Sequence, residues 1–440
     1  MSLLNQNASL EWSDKNKFLL RFLLIYFFLQ IIPLDYKFYQ ELITKDTGRG
    51  FYLLFKAANY SPQFFGLLGY QNWLVIAAIA LIGAIVGGKV CKGKEDFNKL
   101  YYWLRAIVRY RLALVAIAYG LIKVFPLQFP YPSLGNLHTN YGDFLPWKIY
   151  FHTTGIAPTF EIFLGGVEVL AGLLLLNRRT TTFGAGILAG YYGNVFASNM
   201  AYSMGYEAYS FQLAIFAVLL FIYDAPRLYS LLVAQKFTVA NTYHPIFNSR
   251  EKLLRNVLRP LMVVFIIALA FTTYQNYSTA PYKYPKTAGI KGSYGYYNVK
   301  VFKLNNIEIP YSVSDSNRWQ NVVFEKWATL SVKIAKPIVI DNGLGDQFTD
   351  SDYERNYESA GVGGRRYFAY QADTVAKTLK LVNKNKNHKE ETFNLNYQFV
   401  NDSTLILNGV NEKKDSIYVE LNRIHKKYLL FEGRRKPVKL

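Results

Sequence analysis

Apolar residues are distributed along this chain in two regimes. Before residue 276 they form runs long enough to cross a bilayer, which takes about 20 residues. After it they alternate with polar residues at a period of two. The first regime predicts membrane helices over residues 18–34, 73–90, 100–125, 158–176, 181–202, 208–223 and 261–274, the last opened by Pro260. Residues 18–34 contain Arg21 and Gln30, and no small-residue cleavage site follows, so the pattern predicts an uncleaved span. Residues 51–55 predict an amphipathic aromatic patch at the membrane interface. Gly83 and Gly87, one turn apart, signal close helix packing.

In the second regime, Phe393, Leu395, Tyr397 and Phe399 fall on one face of a strand. Leu379 and Leu381, Leu405 and Leu407, and Ile417, Val419 and Leu421 repeat the alternation, with turns expected at Asn401-Asp402 and Asn408-Gly409. About eight short strands between 292 and 431, with an insert at 341–364, predict an antiparallel meander closed into a small lipocalin-like barrel. Such a barrel either holds one small apolar ligand or is filled by its own side chains and docks on a partner.

The expected fold class is therefore a polytopic α-helical membrane protein of about seven spans with a C-terminal all-β domain. Its segments are 1–99 (two spans and an outer loop), 100–235 (a four-helix core), 236–275 (a basic stretch and the seventh span), 276–290 (a Pro/Tyr linker) and 291–440 (the β domain).

Net charge is +20. In a membrane protein this reads as loops facing an anionic leaflet, and with no nucleic-acid motif present, nucleic acid is not an expected partner. Lys89, Lys92, Lys94 and Lys99 follow the second span, Arg178 and Arg179 the fourth, and Arg227 and Lys236 the sixth. That bias predicts an inner-membrane protein with a cytoplasmic N-terminus and an exported, periplasmic β domain. The single cysteine, Cys91, excludes an intrachain disulfide or a CxxC pair.

Candidate chemistry lies on polar positions inside the spans, where ionisable groups are costly. Arg109, Ala113, Ala116, Gly120 and Lys123 form a stripe, with Arg105 one turn earlier. Glu161 and Glu168, seven residues apart, share a face of the next helix. If Lys123 and Glu161 sit at matching depth, the helical rise pairs them and leaves Glu168 to Arg109 or Arg111, or protonated. Asn194 and Asn199 complete the intramembrane candidates; His152 and His138 are secondary ones in the outer loop, and their spacing gives no metal motif. The alternative reading of these charges is that they fix helix register.

The stretch YRLALVAIAYGLIKVF over 110–125, with Gly120-xx-Lys123, is followed by EIFLGGVEVLAGLLLLN over 161–177, the Arg178-Arg179 turn and a Gly/Ala-rich helix. This pattern resembles the DoxX-like four-helix membrane family over about residues 100–235. Asp224-Ala-Pro-Arg227 and the aromatic outer loop resemble longer members with extra spans and an exported tail. The resemblance implies a membrane subunit of a quinone-linked oxidoreductase, which makes quinone one candidate cofactor, while the residues themselves identify none. Lys123 and Glu168 fall on the family's G-x-x-K and acidic positions. The absence of paired cysteines departs from its thiol-handling members. The alternative is a non-enzymatic anchor that presents the β domain to lipid or to other envelope proteins. Neither reading names a catalytic residue.

Overall fold

Ser13 opens the first helix, α1 (Asp14–Ile31), by accepting the Asn16 N–H at its hydroxyl. The helices that follow in chain order are α2 (Tyr36–Thr44), α3 (Gly50–Ala58), α4 (Gln71–Cys91), α5 (Phe97–Val124), α6 (Leu134–Leu137), α7 (Pro146–Gly155), α8 (Pro158–Leu176), α9 (Thr181–Ala201), α10 (Glu207–Ile222), α11 (Ala225–Leu232) and α12 (Ser249–Thr279). The computed structural model describes residues 12–34, 36–44, 50–62, 64, 69–91, 95–239, 243, 245–279, 285–344 and 351–432. Lys92, Lys94 and linker residues 280–284 lie outside the described residues. The chain forms two compact units: Met1–Phe125 with Thr159–Asn276, and Pro126–Pro158 with Tyr277–Leu440.

The first unit is helical. Among the described residues α4, α8 and α12 are long and apolar enough to cross a membrane, and α10 and α11, which meet at a 61° bend, make a fourth if counted as one span. The apolar helices support membrane insertion. The expected α1, α5 and α9 spans fall short of that test for identifiable reasons. Asp14, Lys15, Lys17 and Arg21 charge α1; Arg105, Arg109, Arg111 and Lys123 charge α5; glycine, asparagine and tyrosine lower the hydropathy of α9. The polar residues of α1 have partners: Arg21 bonds Glu95 at 2.5 Å, and Gln212 Nε2 donates to Gln30 Oε1 at 2.6 Å.

Three expectations change. Pro260 lies inside α12 instead of opening it, because the helix starts at Ser249. The 51–55 patch is a turn and a half of α3 with Phe51, Tyr52 and Phe55 buried, so it faces protein. The α4 pair meets its expectation by half: a Cβ on Gly83 would meet Ile25 of α1 at 3.0 Å, a close approach, whereas one on Gly87 would meet nothing. Closer approaches occur elsewhere. A Cβ on Gly120 of α5 would lie 2.8 Å from the Val169 N of α8, and one on Gly165 would lie 2.6 Å from the Gly120 carbonyl. Backbones meet here because only glycine leaves room.

The second unit is an antiparallel barrel of eight strands: β1 (Gly295–Leu304), β3 (Asn321–Phe324), β4 (Thr329–Lys333), β5 (Arg365–Asp373), β6 (Thr378–Asn383), β7 (Thr392–Phe399), β8 (Thr404–Asn411) and β9 (Ser416–Ile424), closed by β1 pairing with β9. The short β2 (Ile307–Glu308) hangs on β1 through Asn305 and Asn306, both at positive φ, as a two-residue hairpin requires. A last turn, α13 (Leu429–Glu432), follows β9. The period-two signal placed β7 at its bounds, with Leu395 and Tyr397 buried. The expected turn at Asn408-Gly409 is instead strand. Gly409 faces β7 so closely that a Cβ would meet the Asn394 carbonyl, and the chain turns at Lys414, which has positive φ. The interior is filled by Tyr297, Phe302, Trp319, Phe324, Phe368 and Tyr370, among others.

Candidate functional site

Glycine-lined contact between α5 and α8 places Lys123 level with Gly165, whose Cβ position is 2.7 Å from the Lys123 Cβ. Side chains on a helix lean toward its N-terminus. In two antiparallel helices Lys123 and Glu168 therefore lean toward each other. Lys123 Nζ donates to Glu168 Oε2 at 2.6 Å, and the Tyr192 hydroxyl of α9 donates to Glu168 Oε1 at 2.7 Å. Glu168 is 1% exposed and Lys123 6%. The expected Lys123–Glu161 pair is thus replaced by Lys123–Glu168, and Glu168 needs neither Arg109 nor Arg111. The depth estimate failed by one turn: Lys123 matches Gly165 and not Glu161. Lys123 Nζ also lies 5.5 Å from the Tyr119 ring and 5.9 Å from that of Tyr191. Glu161 is fully buried on the same face of α8.

The other candidates disperse. Arg111 is buried and caps α3: it donates to the Ala58 carbonyl at 2.5 Å and to the Tyr60 carbonyl. Helix C-termini leave carbonyls unsatisfied, so this arginine closes a helix end. Asn199 donates to Ser210 Oγ at 3.0 Å and ties α9 to α10. Asn194 is exposed and accepts from Ser198 at 3.3 Å. Arg109, 8% exposed, lies with Arg105 in a cleft of α5 about 21 Å along the helix from Lys123 by the helical rise. Tyr192 was missed from the sequence. Its signal was present: Gly184, Leu188 and Tyr192 are a buried stripe at four-residue spacing, so a tyrosine continues the apolar face of α9.

His138 and His152 belong to the barrel unit, because the 126–158 segment between α5 and α8 is part of that unit. Glu325, fully buried there, accepts the Gly135 N–H at 2.7 Å and the Leu134 N–H at 3.2 Å. Asn136 Nδ2 donates to the Tyr367 hydroxyl at 2.9 Å, and Lys148 Nζ to the Tyr357 carbonyl. Burial pushes the Glu325 carboxyl up, against the pull of those two N–H groups, and pushes the Lys148 ammonium well down, helped by Arg355. His138 stacks on Tyr296 at 3.9 Å and bonds the Tyr428 hydroxyl at 2.6 Å; burial, then Arg365 and Lys426, lower it to about 4. His152 stands edge-on to Phe144; burial, then Lys148, lower it to about 3. Both are neutral at pH 7, and among the described residues no three His, Cys, Asp or Glu side chains gather as a metal site.

At one end of the barrel a cleft of about 680 Å³ is floored by Phe302, Trp319, Phe368 and Phe393 and rimmed by Lys336, Arg366 and Glu391. Glu391 accepts from Lys336 at 3.0 Å and from Arg366. An aromatic floor under a charged rim suits an amphipathic group. The helical unit thus offers a closed carboxylate–ammonium–phenol cluster, and the barrel a charged-rimmed cleft at its mouth over a filled aromatic core. No family model, no curated protein and no solved structure matches this chain.

Proposed function

We propose that the chain is an integral inner-membrane protein whose helical unit anchors an exported barrel, and that the barrel mouth engages a partner or a lipid in an envelope complex. One observation carries this reading. The connection between α5 and α8 is built into the barrel unit, through Glu325, Asn136 and Lys148. A barrel hung on as a tail needs only the crossing after α12; here the chain enters the barrel unit at residue 126 as well as at residue 277. The Glu168 cluster supports the anchor role. Its carboxylate is engaged by two donors between glycine-tight helices, the arrangement that fixes helix register.

A second reading follows from the DoxX-like resemblance: a membrane subunit of a quinone-linked oxidoreductase. What favours it is the same carboxylate. A buried Glu168 flanked by Lys123 and Tyr192 can exchange a proton with a quinone headgroup. One experiment separates the two. Full-length protein is purified from native membranes as wild type, Glu168→Gln and Lys336→Glu, and its co-purifying proteins and lipids are identified. The anchor reading expects Lys336→Glu to lose the partner or lipid and Glu168→Gln to keep it. Stoichiometric quinone in the wild-type extract, lost in Glu168→Gln, would sink the anchor reading in favour of the oxidoreductase.

A further inference from the structure

Arg105 and Arg109, four residues apart, share one face of α5. Arg178 follows the C-terminal end of α8, and Thr181 opens α9. Together with Asn98 and Tyr223 these side chains line an open cleft of about 790 Å³. Among the described residues, neither Arg105 nor Arg109 makes an ion pair with a carboxylate. The Nε atoms of both are buried and lack an acceptor. Asp224, an acid near Arg105, already accepts the Thr182 hydroxyl. Aromatic rings hold the guanidinium groups in place: Arg105 Cζ lies 3.1 Å from the Tyr223 ring centroid, Arg109 Cζ 4.7 Å from that of Tyr110, and Arg178 Cζ 5.5 Å from that of Tyr102. Arg178 also donates to the Tyr243 carbonyl at 3.1 Å.

Cations in excess of the one carboxylate near Arg105, Asp224, repel one another, and a nine-tenths-buried arginine, Arg109, with an idle donor is costly. An anion entering the cleft relieves both. The depth identifies its class. The apolar run of α8 stops at Leu176, so Arg178 stands where hydrocarbon gives way to headgroups. The guanidinium fork fits phosphate oxygens two at a time. The N-terminus of α9 adds a positive end of the helix dipole, since the Thr180 hydroxyl donates to the Leu174 carbonyl and does not cap it. We infer that the cleft of Arg105, Arg109 and Arg178 binds a phosphate group, supplied either by an anionic phospholipid headgroup or by a soluble phosphate.

The test uses the full chain in a neutral detergent. Native mass spectrometry measures phosphatidylglycerol against phosphatidylcholine, and equilibrium dialysis measures labelled inorganic phosphate. Wild type is expected to prefer phosphatidylglycerol by about tenfold or more, the scale of one charged hydrogen bond lost or gained. The double variant Arg105→Gln/Arg109→Gln should lose that preference, while Lys300→Gln, on the surface of the barrel unit, should keep it. Arginine-dependent binding of inorganic phosphate at one per chain, without lipid preference, supports the cleft with a soluble ligand. Lipid binding that survives the double variant, together with no arginine-dependent phosphate binding, overturns the inference, whereas equal binding of both lipids that the double variant abolishes supports recognition of the phosphodiester they share. If the double variant does not fold, Arg109→Lys decides. It keeps the charge but loses the fork, so weaker binding is expected, and wild-type binding overturns the inference.

Discussion

Buried charge is handled differently in the two units, and the difference follows from what each backbone leaves unsatisfied. In the helical unit the helices consume their own N–H and C=O groups, so a side chain buried between them turns mainly to another side chain, whereas a helix end, such as the α3 end that Arg111 closes, still offers backbone. Lys123, Glu168 and Tyr192 do this across three helices. In the barrel unit the 126–158 segment is largely loop and short helix, with idle backbone groups. There the charges bond backbone: Glu325 holds two N–H groups, Lys148 a carbonyl, and Arg365 the carbonyls of His138 and Ser331. A side-chain pair can be removed as a pair. A charge that serves backbone cannot, because its removal leaves the backbone group buried and unmet. The Arg355–Glu358–Lys384 cluster, with Lys384 Nζ 3.3 Å from Glu358, sits beside that segment and adds a side-chain layer to it.

The largest effect is expected at Glu325. Glu325→Ala leaves the Leu134 and Gly135 N–H groups without their acceptor and should cost about 1–3 kcal/mol for each of them. Thermal unfolding of the full chain, followed by tryptophan fluorescence, checks the value, and no second substitution nearby should rescue it. Lys123→Met should cost about 3 kcal/mol by stranding the Glu168 carboxylate. Here rescue is expected: Lys123→Met with Glu168→Leu should recover most of the loss, as buried pairs replaced whole often do. A double variant as damaged as the single one would erase the distinction between the units.

Acid sharpens it. His152 titrates near 3 in the fold and near 6.5 when unfolded, so the fold favours its neutral form. Its contribution is present above pH 6.5 and is lost as pH falls toward 3. Between pH 6.5 and 4 the barrel unit should lose about 2–3 kcal/mol from this group. His152→Phe should flatten that slope in melting curves recorded from pH 7 to 4. An unchanged slope would assign the acid sensitivity elsewhere.

Local pattern made the elements legible, and long-range packing decided the site. Alternation found β7 and the barrel because each strand carries its own period. Asn408-Gly409 misled because the glycine answers to the neighbouring strand and not to a turn. Glu168 and Lys123 stood out as charges in apolar runs, yet their pairing needed the α5–α8 register, which Gly120 and Gly165 set by letting backbones touch. That the 126–158 loop joins the barrel could not be read at all. Its partners, Glu325, Tyr357 and Tyr367, lie about 200 residues away in sequence, and no local period encodes them.

The smallest effect belongs to a pair that looks most like the largest. Lys300 donates to Glu420 at 2.9 Å across β1 and β9, nearly the Lys123–Glu168 geometry. The Lys300 side chain is 66% exposed, where that of Lys123 is 7% exposed. Water and salt screen the exposed pair, and holding two long side chains in place offsets much of the attraction. Lys300→Met should therefore cost less than about 0.5 kcal/mol, and raising the salt concentration should shrink even that. The same lysine-to-methionine change at Lys123 should cost several times more. If the two substitutions shifted the melting temperature equally, burial would not be what gives the Glu168 cluster its weight.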